Sequence, residues 1–382
     1  MIGAALALVL GLAVPAVARG AESVAQQLAA RYSPVLSLAP QAKACGPGEA
    51  YRPTTVDIAL GRRDVLLRDP GGKRVKRAPT SRDLWGLGAG YYLDFPGDPL
   101  NPGCGYERQF REWNAGRPPS VYAHVATDPS DPGKLAVQYW FYYTFNDFTD
   151  KHESDWEMAQ VDFAASSVAE ALRVGPYEVD LSQHAGGERS GWTDTKLQRE
   201  GTHPVIYDAT GSHANYFSRA LFLGRGPREG FGCDDTRDAT RRLEPRTVLL
   251  PDIPSSASAP YAWLAFQGRW GQKEAASNGP TGRLPSSVDR PDRVGRRLAR
   301  HERRGTERHG VRSAPFRTRP SNSPSTTSIV RPEASSTPRS TWMFSIDHCA
   351  SRQPLAGSVT TRPRSKALVA TVRVLPAHDL AR

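Results

Sequence analysis

The sequence lacks the motifs that several common enzyme classes need. It contains 4 Cys and 3 Met in 382 residues, and no two cysteines form a C-x-x-C pair, which argues against a zinc knuckle. A G-x-x-x-x-G-K-[ST] loop and a dinucleotide-binding glycine fingerprint are both absent, so nothing supports nucleotide binding. G-x-S-x-G is absent too, and His152-Glu153 does not continue into H-E-x-x-H, because Trp156 stands at the second His position.

The net charge of +11 does not indicate a nucleic-acid-binding fold. Residues 283–382 contain 19 Arg and 1 Lys against 7 acidic residues, whereas residues 1–282 contain 30 basic and 32 acidic residues. The excess positive charge therefore belongs to the C-terminal stretch, and the rest of the chain is close to neutral. A basic DNA-binding domain should carry its charge on the folded part, so we expect no nucleic-acid partner.

The N-terminus resembles a secretory signal peptide. Ile2 to Val17 is uncharged and rich in Ala, Leu and Val, and Ala16-Val17-Ala18 forms a small-x-small cleavage site. The alternative is a membrane anchor, for which sixteen apolar residues are short. We therefore expect residues 1–18 to be removed, which leaves a secreted mature protein without a transmembrane span.

The C-terminal stretch, residues 283–382, is rich in Arg, Ser and Pro. It has no Tyr, while residues 1–282 hold all 13, and it shows no sustained period of 2 or 3.6. It should therefore be disordered. The abrupt change in composition also suggests that the coding sequence is read out of frame after about Gly282; a basic arm that binds RNA or membranes is the alternative.

Between these ends, residues 22–282 read as a single β-sandwich domain with a few short helices. A helical pattern from about Glu22 leads to a first short strand, and 57–67 reads as a short helix or turn. Short apolar runs then alternate with Gly, Pro and Asp clusters, as in all-β sandwiches. The pattern predicts a helix at 166–173 and strands at 120–126, 135–145, 154–163, 177–183, 204–207 and 263–268.

The strand at 135–145 has the clearest pattern. Its alternate residues from Leu135 to Phe145 are all apolar and should share one buried face. The other face carries Gln138, Trp140 and Tyr142, and we expect it to be half covered. Trp140, Tyr142 and the more distant Trp192 are candidates for stacking on a sugar.

The candidate chemistry is concentrated on the hairpin FNDFTDKHESDWEMAQVDF, residues 145–163. Its potential metal ligands are Asp147, Asp150, His152, Glu153, Asp155 and Glu157. On a strand, Asp155 and Glu157 share one face while Trp156 and Met158 pack on the other. Crowded carboxylates raise one another's pKa, and a divalent cation removes that repulsion. Oxygen-rich ligation with one imidazole suits Ca²⁺, Mg²⁺ or Mn²⁺ better than zinc; a solvated acidic turn is the alternative.

A second cluster lies in HPVIYDATGSHANYF, residues 203–217. Ser212 and His213 follow a predicted strand, and His184 could converge on them from another. Adjacent Ser and His residues do not make a catalytic triad. We therefore weigh a metal- or ligand-facing His213 against a turn in which Ser212 and His213 bind their own backbone.

Cys45 and Cys104 both lie in loop-like sequence and are the predicted disulfide of an exported protein, with Cys233 as an equally loop-like competitor.

The segment KHESDWE, followed about fifty residues later by YDATGSHANYF, resembles the vacuolar protein sorting-associated protein 62 family, which pairs an H-x-x-D-W-E strand with a downstream G-S-H-A. The resemblance runs from about Pro34 to Gly282. The biochemical activity of that family is poorly defined, so the resemblance implies a fold and paired motifs but no reaction.

The same heptad is similar to the G-H-R-H-D-W-E signature of necrosis- and ethylene-inducing peptide-like proteins, which are secreted β-sandwich cytolysins that bind a divalent cation and sphingolipid headgroups. By that similarity His152, Asp155 and Glu157 match signature ligands, and Asp147 matches an aspartate that precedes the heptad. Lys151, Glu153 and Ser154 depart from the signature. The resemblance thus implies a metal site at Asp147, His152, Asp155 and Glu157 more directly than it implies lipid binding.

Three functional hypotheses follow. In the first, a secreted β-sandwich uses a bound divalent cation to recognise a polar lipid headgroup or a glycan at a cell surface. In the second, the cation serves a hydrolase of phosphoesters or glycans, with His213 or His184 as general base. In the third, the hairpin and the turn with the sequence GSHA, residues 211–214 (the GSHA turn), only stabilise the fold. The sequence does not indicate an oligomeric state.

Overall fold

The computed structural model describes residues 22–149, 151–184, 186–223 and 233–272. The predicted signal peptide, the C-terminal stretch 283–382 and Asp150 lie outside these ranges. All described residues belong to one unit of the chain. Within them, no helix has the length and apolar character to cross a membrane.

The described residues are mostly strand, as the sequence predicts. The strands are β1 (Val35–Leu38), β2 (Leu66–Arg68), β3 (Arg74–Arg77), β4 (Tyr92–Asp94), β5 (Ser120–Asp128), β6 (Asp131–Asn146), β7 (His152–Phe163), β8 (Glu178–Gln183), β9 (Gly186–Gly191), β10 (Arg199–Glu200), β11 (His203–Asp208), β12 (Asn215–Tyr216), β13 (Leu221–Leu223), β14 (Cys233–Asp235), β15 (Arg241–Leu243) and β16 (Arg246–Leu249).

The helices are short and lie between strands: α1 (Val24–Arg31), α2 (Ser81–Leu84), α3 (Gly105–Trp113) and α4 (Val168–Val174). The helix predicted at 166–173 is confirmed as α4, where the Ser167 hydroxyl accepts a hydrogen bond from the Glu170 amide at 3.2 Å. Single 3₁₀ turns occur at Val56–Ile58 and Ala262–Ala265. The strand predicted at 263–268 is therefore wrong, because a short apolar run does not distinguish a strand from a buried turn.

Two packed sheets form the sandwich. In the described residues one sheet has six strands in the order β16-β5-β6-β7-β8-β9, antiparallel except for the parallel pair β16–β5. The other has β10-β11-β1-β15 with β12 beside β11. Leu36 of β1 and Ile206 of β11 share the main core with β6 and β7, while Val35 and Tyr207 lie in a smaller cluster on the opposite face. The predicted β-sandwich is confirmed.

The hairpin β6–β7 is the centre of the larger sheet. Tyr143 pairs with Asp155 and Phe141 with Glu157 across it, and the alternate apolar residues of β6 are buried as predicted. The other face is also buried, not half covered. Trp140 is 4% exposed and Tyr142 0%, so both are core residues and neither is available to stack on a sugar.

The predicted disulfide is confirmed. Cys45 is bonded to Cys104 with a Cα–Cα distance of 5.6 Å. The Cys45 amide also donates to Oε1 of Glu107 on α3 at 2.8 Å, so the bond joins the loop after β1 to this helix. A disulfide is typical of proteins that reside in an oxidising compartment.

Candidate functional site

Two of the predicted ligands, Asp147 and His152, lie at the turn that joins β6 to β7 and make local contacts there. The Asp147 carboxylate forms a salt bridge with Lys151 Nζ, and both side chains are partly exposed. The His152 ring is buried, and its Nδ1 lies 2.8 Å from the Ser154 carbonyl oxygen. At this end of the site, therefore, Asp147 is the residue that reaches solvent.

Further along β7, Asp155 and Glu157 lie on one face, as the alternation predicts. Trp156 lies on the other face and packs on Tyr142 with a ring distance of 4.9 Å. The Glu157 carboxylate accepts a hydrogen bond from the Ser182 hydroxyl of β8. Both carboxylates are buried, at 8% and 7% exposure, so they form the floor of the site.

The GSHA turn brings His213 onto this floor. The His213 ring stacks on Tyr143 at 3.8 Å with an interplanar angle of 3°. Its Nδ1 lies 3.0 Å from Oδ2 of Asp155, and its Nε2 lies 3.6 Å from Oε1 of Glu49. Glu49 also accepts the Gly211 amide at 2.7 Å. A carboxylate from the loop after β1 and one from β7 thus enclose the imidazole.

Electrostatics keep the His213 ring charged. Complete burial disfavours the imidazolium, but the charge of Glu49 and the hydrogen bond to Asp155 outweigh it and raise the His213 pKa to about 10. The same interaction lowers the pKa of Glu49 against the effect of its own burial. A ring that is protonated at neutral pH cannot accept a proton, so His213 is unsuited to the role of general base.

A second polar centre forms around Asp234 of β14. Its carboxylate accepts hydrogen bonds from Ser212 Oγ at 2.5 Å and from the Tyr216 hydroxyl at 2.6 Å. Nε2 of His184 lies 2.8 Å from Oδ2 of Asp234, and the His184 ring is 5.6 Å from that of Phe148, next to Asp147. Ser212 therefore donates directly to a carboxylate, which is not the arrangement of a serine nucleophile.

The two centres meet at Glu157. Burial, the charge of Asp155 and the charge of Asp234 raise its pKa well above the ordinary value. The site therefore runs from Asp147 at the exposed end, past His184 and Asp234, to the buried ion pair of Asp155 and His213. Its floor holds more carboxylate than the imidazolium of His213 can neutralise.

Glu49 and Asp234 are the functional residues that the sequence did not indicate. Both lie in short loops or strands far from the hairpin in sequence, and neither belongs to a periodic pattern. The one available signal for Asp234 is the acidic pair that it forms with Asp235 after Cys233.

The backbone at this site is strained. Six described residues other than glycine have a positive φ, and three of them, Ser154, His184 and His213, belong to the site, at +54°, +46° and +56°. Such conformations cost about 1–2 kcal/mol each, and they are found preferentially at binding and catalytic sites.

The predicted ligands do not converge as closely as a bound ion requires. Within the described ranges, two groups of three have ligand atoms that all lie within 4.8 Å of one another, and neither includes the predicted four: Cys45, Cys104 and Glu107; Asp162, Glu178 and Asp180. The cysteines of the first group are bonded to each other. The metal site at Asp147, His152, Asp155 and Glu157 stays a prediction.

No protein-family model and no curated protein matches the chain, so the resemblance to the vacuolar protein sorting-associated protein 62 family gains no support. Solved structures of necrosis- and ethylene-inducing peptide-like proteins do show similarity. "NLPPya in complex with mannosamine" is 15% identical, with a TM-score of 0.34, over 72% of this chain and 90% of that chain.

Two further solved structures show similarity as well. "Toxin fold as basis for microbial attack and plant defense" is 16% identical, with a TM-score of 0.34, over 72% of this chain and 91% of that one. "Necrosis and Ethylene inducing Protein 2" from the causal agent of cocoa's Witches Broom disease is 14% identical, with a TM-score of 0.27, over 58% of this chain and 72% of that one.

Proposed function

We propose that this protein binds a divalent cation at the polar site on β7 and uses it to hold oxygen atoms of a polar headgroup or a glycan at a cell surface. The observation that carries the proposal is the accumulation of buried carboxylates on one sheet face. Asp155 and Glu157 lie there together, and Asp234 is near enough to raise the pKa of Glu157. A cation at this floor relieves a repulsion that the fold otherwise retains.

The chemistry of the donor set suits a hard cation. Asp155 and Glu157 would supply carboxylate oxygens, with the buried His152 ring and the partly exposed Asp147 carboxylate at the turn of the hairpin. Ca²⁺, Mg²⁺ and Mn²⁺ prefer such ligands, and Ca²⁺ tolerates irregular geometry. The contacts that Asp147 makes with Lys151 and that Glu157 makes with Ser182 involve flexible side chains, so these carboxylates can change partners without a change of fold.

The first test is calorimetric titration of the full-length protein with Ca²⁺, Mg²⁺ and Mn²⁺. Because burial and the neighbouring carboxylates raise the Glu157 pKa, a cation competes with a proton for this carboxylate, and ion binding should strengthen as the pH rises. Glu157→Gln should abolish binding, while Glu112→Gln, an exposed carboxylate on α3, should leave it unchanged. A wild-type protein that gives no heat with any of the three ions contradicts the proposal.

The second test concerns the ligand. An amino sugar combines hydroxyl groups that can join a cation's coordination shell with an ammonium group that complements the carboxylates, so glucosamine and mannosamine are suitable first probes. Binding should require the cation and should disappear in EDTA and in Glu157→Gln. Binding that persists unchanged in EDTA would show that the cation does not mediate recognition.

We also propose that the protein is secreted. The signal-like N-terminus and the Cys45–Cys104 disulfide support this. N-terminal sequencing of protein recovered from the culture medium should begin at Arg19; an uncleaved chain retained with the membrane fraction contradicts it. The hydrolase alternative gains no support from His213, whose ring is buried and charged.

A further inference from the structure

Positive charge is concentrated on one small part of the folded chain. Residues 62–83 contain eight basic and three acidic residues, although residues 1–282 as a whole contain 30 basic and 32 acidic. Four of the eight lie together at Lys73, Arg74, Lys76 and Arg77. This segment is therefore locally basic within a body that carries a slight negative charge.

The structure places these four residues on an exposed edge. β3 is the end strand of a three-stranded sheet with the order β3-β2-β4. Its residues Arg74 to Arg77 are all exposed, and so is Lys73, which directly precedes the strand. Since alternate side chains point to opposite faces, both faces of β3 meet solvent. In the described ranges, Lys76 alone of the four forms an ion pair, 3.6 Å from Oδ1 of Asp83. The other three charges are available to a partner.

Apolar side chains accompany these charges. Val75, between Arg74 and Lys76, is 51% exposed. Trp85, just after α2, is 38% exposed, while its Nε1 donates to the Pro254 carbonyl oxygen at 3.2 Å. Asp83 of α2 contacts Lys76, so α2, which directly precedes Trp85, lies next to β3. Exposed Trp with neighbouring Lys and Arg is typical of surfaces that lie at a membrane–water interface.

We infer that this basic edge, defined as Lys73 to Arg77 with Trp85, docks on an anionic lipid bilayer. The charges of the edge and of the lipid headgroups are complementary. A bilayer also accepts the exposed Val75 side chain between its headgroups, whereas a soluble polyanion offers an apolar side chain no such environment. The edge shares no residue with the carboxylate site, so it supplies attachment to a membrane whether or not the site binds a cation.

The test is sedimentation of full-length protein with vesicles of phosphatidylcholine, alone or with about one third phosphatidylserine. Each Lys or Arg side chain near such a surface increases the affinity about fivefold. The triple variant Arg74→Gln, Lys76→Gln, Arg77→Gln should therefore bind about a hundredfold more weakly. Binding of the wild type should require phosphatidylserine and weaken as salt is added.

A matched control variant shows whether binding depends on the charges of the edge or on those of the Arg-rich residues 283–382, which the edge variant and the control variant both retain. Arg108→Gln, Arg173→Gln, Arg219→Gln removes the same charge from exposed positions elsewhere and should bind as the wild type does. Equal loss in the two triple variants, or no loss in either, overturns the inference.

A third variant distinguishes a bilayer from a soluble polyanion. Val75→Ser should weaken binding to the vesicles but leave retention on heparin unchanged. If Val75→Ser binds vesicles as tightly as the wild type, and the edge triple loses heparin and vesicle binding to the same extent, the partner is a soluble polyanion and the bilayer is wrong. Circular dichroism melting confirms that each variant is folded, as exposed substitutions should be.

Discussion

Replacing His213 by glutamine should strongly destabilise the protein near neutral pH. The ring is completely buried between Glu49 and Asp155. A rise in pKa from 6.5 to about 10 corresponds to about 4–5 kcal/mol of stabilisation, at about 1.4 kcal/mol for each pH unit. Independently of the pKa, removing one member of a buried ion pair generally costs about 3–5 kcal/mol. We therefore expect a loss of about 4 kcal/mol.

The sign of the pH dependence follows from the direction of the shift. The folded pKa of His213 lies above its unfolded value, so its contribution is fully present below about pH 6.5 and is lost as the pH rises through about 10. Burial also raises the pKa of Asp208 to about 7 and that of Glu153 to about 8, and both destabilise the fold as the pH rises. The diagnostic quantity is thus the difference between wild type and variant.

The assay is urea unfolding followed by tryptophan fluorescence at intervals from pH 6 to pH 10. The free-energy gap between wild type and His213→Gln should be largest near pH 6.5 and should shrink toward pH 10. His203→Gln, at a half-buried ring whose Nδ1 lies 2.7 Å from the Ser33 carbonyl oxygen, is the control and should cost much less stability than His213→Gln at pH 6.5. A wild-type–His213→Gln gap that stays constant from pH 6 to pH 10 refutes the ion-pair reasoning.

Two further predictions concern Glu153 of β7 and Gly271, which lie against each other. Burial raises the Glu153 pKa to about 8 despite hydrogen bonds from the Phe95 amide and the Tyr106 hydroxyl, so Glu153→Gln should gain up to about 4 kcal/mol over the wild type as the pH rises from 5 to 9; unfolding curves that shift equally would contradict this. A Cβ at Gly271 would lie 2.5 Å from the Cβ of Glu153, so Gly271→Ala should lower the stability by about 1–3 kcal/mol. Gly88→Ala, with nothing within 4 Å, is its control, and equal melting temperatures would contradict the predicted clash.

The sequence predicts those features of the fold that follow from local alternation. The period-2 pattern places Asp155 and Glu157 on one face of β7 and Trp156 on the other, and the structure confirms it. The same pattern does not predict the depth of burial, because burial depends on what packs over a strand. Tyr142 therefore becomes a core residue through contacts with the Trp270 ring at 5.7 Å, more than a hundred residues away.

For the same reason, the sequence does not predict which carboxylates contact His213. Glu49 meets His213 across 164 positions of the chain, and a loop carboxylate carries no periodic signal that could indicate such a contact. His213 itself could be singled out because it follows a strand in a Gly-Ser turn, but its charge could not. That charge depends on two carboxylates that only the packed sheets bring together.

The structural role of this site and its proposed binding role can be separated because they depend on different residues. His213 neutralises Asp155 and Glu49 and thereby fixes the GSHA turn on the sheet. Glu157 remains beside Asp155 and Asp234 with its pKa raised, so replacing it by glutamine removes a repulsion and should not destabilise the fold. If the site only locked the structure, the wild type would bind no cation, and Glu157→Gln would change the stability alone. A protein that gains stability from Glu157→Gln and loses cation binding with it would instead have retained an unfavourable carboxylate for a ligand, as functional sites commonly do.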